Sequence, residues 1–226
     1  MARRGPPGGR LPTVKVRSTR RRKSSSTRWL SRQLNDPYVA EARRLGYRSR
    51  AAFKLIELDQ RFRLLRPGHR VVDLGCAPGG WTQVAVARVG RHGIVVGVDI
   101  AATVPLAGAT LLSGDIRDPG MLATIGAALG RAADVVLSDM APAATGHAAT
   151  DHLRIVALAE DAFAAAAQIL KPGGAFVAKV FQGGAEGALL AELKQNFAEL
   201  RHVKPPASRA ESAETYVVAT GYRGGQ

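Results

Sequence analysis

Apolar and polar positions divide the chain into stretches of different texture. From Arg28 to about Arg44, Trp29, Leu34, Tyr38, Val39, Ala42 and Leu45 recur at helical spacing, with a break near Pro37. Ser49 reads as the N-cap of a helix over "RAAFKLIELDQRF", where Phe53, Ile56 and Leu58 are apolar. Beyond "RPGHR" short apolar runs alternate with longer periodic ones. "RVVDLG", "GIVVGVDI", "ATLLSGDI", "ADVVLSDMA", "GGAFVAKVF" and "ETYVVATGY" read as strands. Between them "GWTQVAVARVG", "DPGMLATIGAALG", an Ala-rich stretch from about Asp151 to Leu170, and "GALLAELKQNF" read as helices. This alternation predicts an α/β fold, a mostly parallel sheet covered on both faces in the doubly wound manner. There is no internal repeat and no sign of a second folded domain.

Charge changes the picture at one end. The chain of 226 residues has a formal net charge of +14, and 11 Lys or Arg with no Asp or Glu fall within residues 1–32. Residues 1–27, rich in Arg, Ser, Pro and Gly, cannot bury enough apolar surface to fold alone, so a disordered basic tail is expected there, with one domain over residues 28–226. Such an excess points to a polyanionic partner, nucleic acid before an acidic membrane surface. An organelle transit peptide is the alternative for the tail, opposed by the helix-breaking Pro6-Pro7-Gly8-Gly9. A single cysteine excludes an internal disulfide, and no metal cluster or membrane-spanning run is evident. A monomer in the cytoplasm is expected, with a mitochondrial protein as the minority alternative.

Two features carry chemistry. In "VVDLGCAPGGW", Gly75, Ala77 and Gly80 take a G-x-A-x-x-G spacing between a strand and its helix, and Asp99 closes the second strand, where a carboxylate takes ribose hydroxyls. Pro78 within the turn and Asp73 before it suit a nucleoside without phosphates, such as S-adenosylmethionine, better than a pyrophosphate. Asp115 in "SGDI" is placed for an adenine edge. Cys76 is rejected as a nucleophile, because Asp73 would not depress its pKa. The second feature is Lys179, a lysine inside the apolar strand "GGAFVAKVF". Side chains alternate along a strand, and Lys179 lies near its carboxyl end, where it can enter a cleft rather than the core. His147 and His152 read as loop and helix-cap residues.

In order, "SRAAFKL", "VVDLGCAPGGW", "VVLSDMAP", "GGAFVAKVFQG" and "SRAESAETYVVATG" resemble the motifs of the FtsJ-type ribose 2′-O-methyltransferases, over roughly residues 26–221. The resemblance implies a Rossmann-like, S-adenosylmethionine-dependent methyltransferase fold with a mostly parallel, seven-stranded sheet flanked by helices. It implies a catalytic Lys-Asp-Lys-Glu tetrad at Lys54, Asp139, Lys179 and Glu214. Glu214 is selected over Glu211 because the family's Glu stands two residues before a Tyr, here Tyr216. Gly79, Trp81, Asp99, Asp115 and Asp139 are implied as cofactor contacts, joining Gly75, Ala77, Pro78 and Gly80 of the same loop. The implied reaction is methylation of a ribose 2′-oxygen, on a uridine of 23S ribosomal RNA in the large ribosomal subunit. Ala143, Glu211 and Ala213 depart from the family pattern and alter the expected RNA surface.

A ribose hydroxyl is a poor nucleophile at neutral pH, so a lysine at hydrogen-bond distance helps by orienting it or, once neutral, by accepting its proton. Burial and the Lys54 cation favour the neutral amine, and two carboxylates favour the ammonium. A transfer-RNA ribose methyltransferase and a ribosome-assembly RNA-binding factor are the alternatives. A nicotinamide dehydrogenase would leave Lys54, Lys179 and the basic arm without a role.

Overall fold

Strands that are apolar on both faces must be covered on both faces, and the chain folds accordingly. A computed structural model describes residues 30–31, 33–142, 145–181 and 187–224, so the expected tail over residues 1–27 lies outside the described residues. In chain order the elements are α1 (Pro37–Arg44), α2 (Ala51–Phe62), β1 (Arg70–Leu74), α3 (Gly80–Val89), β2 (Ile94–Asp99), β3 (Thr110–Ser113) and α4 (Pro119–Leu129). There follow β4 (Ala133–Ser138), α5 (Ala148–Ile169), β5 (Leu170–Phe181), α6 (Gly187–Asn196), β6 (Phe197–Val203) and β7 (Glu214–Tyr222).

One seven-stranded sheet has the order β3-β2-β1-β4-β5-β7-β6. Neighbours pair in parallel from β3 to β5, and β7 runs antiparallel to both β5 and β6. The strand order reverses between β1 and β4, the point at which doubly wound sheets open a cleft at their carboxyl edge. Because β7 is reversed, its first residue, Glu214, lies at that same edge, opposite Phe181 at the end of β5.

The two cores follow from the period of two. Val72, Val136, Phe176, Ala178 and Val180 pack with Ala162, Phe163 and Ala166 of α5 on one face. Val71, Val135, Leu137 and Val177 pack with Leu55, Leu58, Trp81 and Val84 of α2 and α3 on the other. Each such Val or Leu contributes about 1.5–3 kcal/mol relative to exposure. Lys179 continues the Val177 face, and so points toward α2.

Two expectations need correction. Ser49 is not the cap of α2: Arg50 holds the N-cap position in an αR conformation, with no side-chain cap hydrogen bond. Ser49 Oγ is turned toward α3, where a Cβ on Gly80 would come within 2.2 Å of it. The helix expected from Asp151 begins at Ala148, and Asp151 reaches back to accept from Thr145 N at 2.8 Å and Gly146 N at 3.3 Å. Six strands were legible as patterns; the seventh, β6, was not. It buries Phe197 and Val203 at its ends and exposes Glu199, Arg201 and His202, the charged texture of an edge strand.

Candidate active site

The carboxyl edge collects side chains from four separate elements. Lys54 lies on the buried face of α2 beside Leu55 and Leu58, although its own side chain is polar. Lys179 projects from β5, Asp139 directly follows β4, and Glu214 opens β7. Lys54 and Lys179 are both only 8% exposed. Burying an ammonium is costly unless it is paired, and both are paired. Lys179 Nζ meets Asp139 Oδ1 at 2.7 Å and donates to the Asp139 carbonyl at 2.8 Å. Lys54 Nζ meets Glu214 Oε1 at 2.7 Å. The four residues expected from the motifs therefore form two ion pairs.

A fifth residue joins the pairs. Tyr216, fully buried, donates its hydroxyl to Asp139 Oδ1 at 2.7 Å and accepts from Lys54 Nζ at 3.1 Å. It is the strand partner of Lys179, so the two side chains stand on one face of the sheet. Sequence reasoning used Tyr216 only as a landmark for Glu214. The signal available was its place two residues from Glu214, which puts both on the same face of a strand.

The electrostatics are those of a balanced cluster. Burial pushes the Asp139 carboxyl up, but Lys179 and Lys54 outweigh it and hold it below its ordinary value. Burial likewise opposes ionisation of Glu214, and Lys54 followed by Lys179 brings it below its ordinary value. The Tyr216 phenol is raised well above its ordinary value by burial and by the Asp139 and Glu214 charges, so it stays a neutral donor.

The glycine-rich turn lies beside this cluster. Gly75 has φ +75°, and a Cβ there would come within 2.5 Å of Met140 Cγ and 3.0 Å of Met140 Cα, so glycine alone lets the turn lie against the loop that carries Asp139. The Ala77–Pro78 bond is cis. Gly79 caps α3 in a left-handed conformation, and Gly80 opens that helix. Trp81 is buried, donates Nε1 to the Ala51 carbonyl at 2.8 Å and sets its ring 5.5 Å from that of Tyr216, tying α3 to α2 and to the cluster. Asp99 Oδ2 accepts from Ala77 N at 2.9 Å, and its Oδ1 accepts from Ala101 N at 2.8 Å. Asp115 is farther along the edge and pairs with Arg117 Nη2 at 2.5 Å, which holds its carboxyl at about 2.

Arg48 was also missed. Its guanidinium donates to the carbonyls of Pro78 at 3.2 Å, Val104 at 2.6 Å and Pro105 at 2.6 Å, bolting the turn to the β2–β3 connection. Burial, reinforced by Asp73, pushes the Cys76 thiol up to about 12, in keeping with its rejection as a nucleophile. Among the described residues no group of His, Cys, Asp and Glu could hold a metal ion, and no helix is long and apolar enough to cross a membrane.

A family model described as FtsJ-like methyltransferase matches residues 47–222. The chain is 63% identical to the ribosomal RNA large subunit methyltransferase E of Paramagnetospirillum magneticum, over 97% of this chain and 93% of that protein. It is 58% identical to the protein of the same name from Gluconobacter oxydans, over 95% of this chain and 79% of that one. A crystal structure described as a ribosomal RNA methyltransferase from Plasmodium falciparum superposes with a TM-score of 0.72 at 28% identity, covering 79% of this chain and all of that one. With the family model spanning residues 47–222 and the two methyltransferase E relatives 58–63% identical over most of its length, the chain belongs to the FtsJ-like methyltransferase family.

Proposed function

We propose that this protein transfers a methyl group from S-adenosylmethionine to the 2′-oxygen of a ribose, on a uridine of 23S ribosomal RNA in the large subunit, in the cytoplasm. The paired cluster of Lys54, Asp139, Lys179, Glu214 and Tyr216 at the carboxyl edge carries this reading. The names of the relatives support the ribosomal substrate.

The residues present fit the cofactor. Each Asp99 oxygen accepts one backbone N–H, and a carboxylate has lone pairs beyond these for a ribose diol. Ile100, next to Asp99, is 77% exposed and offers an apolar face to an adenine. Asp115 would take the adenine edge in place of part of its Arg117 pairing, and Gly75, Ala77, Pro78, Gly79, Gly80 and Trp81 would form the wall around the methionine part. When bound, S-adenosylmethionine supplies a methyl group on a positively charged sulfur.

The chain's own part is placement. Lys179 Nζ gives two hydrogen bonds to Asp139 and has a third position to aim at the 2′-oxygen, which it orients as a donor and, once neutral, relieves of its proton as the oxygen–methyl bond forms and the sulfur–methyl bond breaks. Asp139 holds that donor in place and sits between the cofactor turn and the lysine. Lys54 and Glu214 balance the charge, so the cluster enters the reaction already ordered. The deciding experiment incubates the protein with methyl-labelled S-adenosylmethionine and, separately, large ribosomal subunits, naked ribosomal RNA and transfer RNA. Label at a ribose of ribosomal RNA is expected; label confined to transfer RNA would overturn the ribosomal assignment.

A further inference from the structure

The tetrad does not account for the whole of the last motif, which opens on Ser208 and Arg209 before it reaches Glu214. Both lie in the connection between β6 and β7, the stretch that must deliver Glu214 to the cluster. Ser208 is buried, and its Oγ donates to Glu214 Oε1 at 2.8 Å. That same oxygen meets Lys54 Nζ at 2.7 Å. Two donors converging on one carboxylate oxygen restrict a side chain that otherwise has three free torsions.

The connection is itself braced. From within, Lys204 Nζ donates to the carbonyls of Ala210 at 2.9 Å and Ser212 at 2.6 Å. From α2, Glu57 Oε2 accepts from Ala207 N at 2.7 Å, and Arg50 Nη2 donates to the Ala207 carbonyl. From α1, Asp36 Oδ2 is held by Arg209 Nη2 at 3.2 Å and Arg50 Nη1 at 3.1 Å. The other Asp36 oxygen caps α1 by accepting from Tyr38 N at 3.0 Å. The Asp36 side chain is only 7% exposed, so losing both guanidinium partners would leave a buried charge unpaired.

We propose that Ser208 is a positioning residue that sets the orientation of Glu214, and that Asp36, through Arg209 and Arg50, fixes the loop from which Ser208 does so. This rests on the assignment of Glu214 to the catalytic tetrad. Ser208 acts through Glu214, so its effect must vanish when Glu214 is gone.

The test is a double-mutant cycle of Ser208→Ala and Glu214→Ala on the full chain, read as single-turnover methyl transfer to RNA alongside affinity for S-adenosylmethionine. Ser208→Ala is expected to slow transfer about tenfold in the parent and less than about twofold in the Glu214→Ala background, with cofactor affinity unchanged. Asp36→Ala is expected to slow the parent similarly and to add less than about twofold to Ser208→Ala. Equal losses in both backgrounds would mark Ser208 as ordinary packing and overturn the proposal. So would an undiminished rate in Ser208→Ala while Glu214→Ala is slow. An undiminished rate in Glu214→Ala would instead overturn the tetrad assignment on which the proposal stands. Should Ser208→Ala fail to fold, Ser208→Cys keeps the volume while weakening the donor, and the same cycle applies to it.

Discussion

Lys179 is tolerated inside an apolar strand because its charge is met within 2.7 Å by Asp139 and because β5 ends at the cleft, not in the core. In the proposed reaction, replacing it with Ala removes the group that faces the reacting oxygen, so single-turnover transfer is expected to fall by roughly 10²–10⁴-fold with cofactor binding retained. Equal turnover in the variant would remove Lys179 from the reaction. The acidic groups of the edge respond to pH in opposite senses. Glu214 is held below its ordinary value of 4.5, with Lys54 and Lys179 outweighing burial, so its stabilising contribution is present above that value and is lost as pH falls through the folded one. Glu214→Gln is therefore expected to cost stability in urea titrations at pH 6, and that cost should fade at pH 3. Asp73 goes the other way: full burial, with added repulsion from Asp139 and Asp99, pushes its carboxyl from 3.8 to about 7 despite the Thr82 hydroxyl at 2.6 Å. Its contribution is favourable below 3.8 and is lost as pH rises through about 7. Asp73→Asn should stabilise the fold more at pH 8 than at pH 5, by about 1.4 kcal/mol per pH unit crossed below the folded pKa. Equal stabilisation at the two pH values would refute the shift.

Elements matter here for what they carry to the edge. The turn between β1 and α3 works because Gly75 places backbone where any side chain would strike Met140 Cα, and that atom belongs to the neighbouring turn of main chain after β4. Gly75→Ala is expected to strain a left-handed residue by about 1–3 kcal/mol and to push the Asp139 loop away. A calorimetric titration should show S-adenosylmethionine affinity falling about tenfold or more; unchanged affinity would mean that the loop yields freely. The strands and helices that bear the site were readable because their apolar periods are strong, from "RVVDLG" to "ETYVVATGY". The edge strand β6 was not, because Glu199, Arg201 and His202 need only a partner strand and water, and leave no apolar alternation to read. Ser49 illustrates the same limit. Its type fits a helix cap, but the backbone reaches αR at Arg50 without it, and the α2–α3 contact places the hydroxyl elsewhere.

The molecule as a whole combines a tight ionic site with a strongly basic charge, 11 of whose cations lie in residues 1–32. Deleting residues 1–27 is expected to weaken RNA binding and to flatten its dependence on salt, since fewer counterions are released, while leaving cofactor affinity intact. An unaltered slope of affinity against salt would refute a gripping role for that segment. The sequence by itself determined the fold class, because the periods of strands and helices are local, and it named the glycine-rich turn and the four residues of the proposed tetrad, because each stands in a short motif. Only the tertiary structure decided how those residues are joined. The Tyr216 hydroxyl between the two ion pairs, the Arg48 bolt on the turn and the Ser208–Asp36 bracing of Glu214 all link residues from separate elements. Such contacts depend on strand order and helix packing, which bring together Asp36 and Arg209 from opposite ends of the chain.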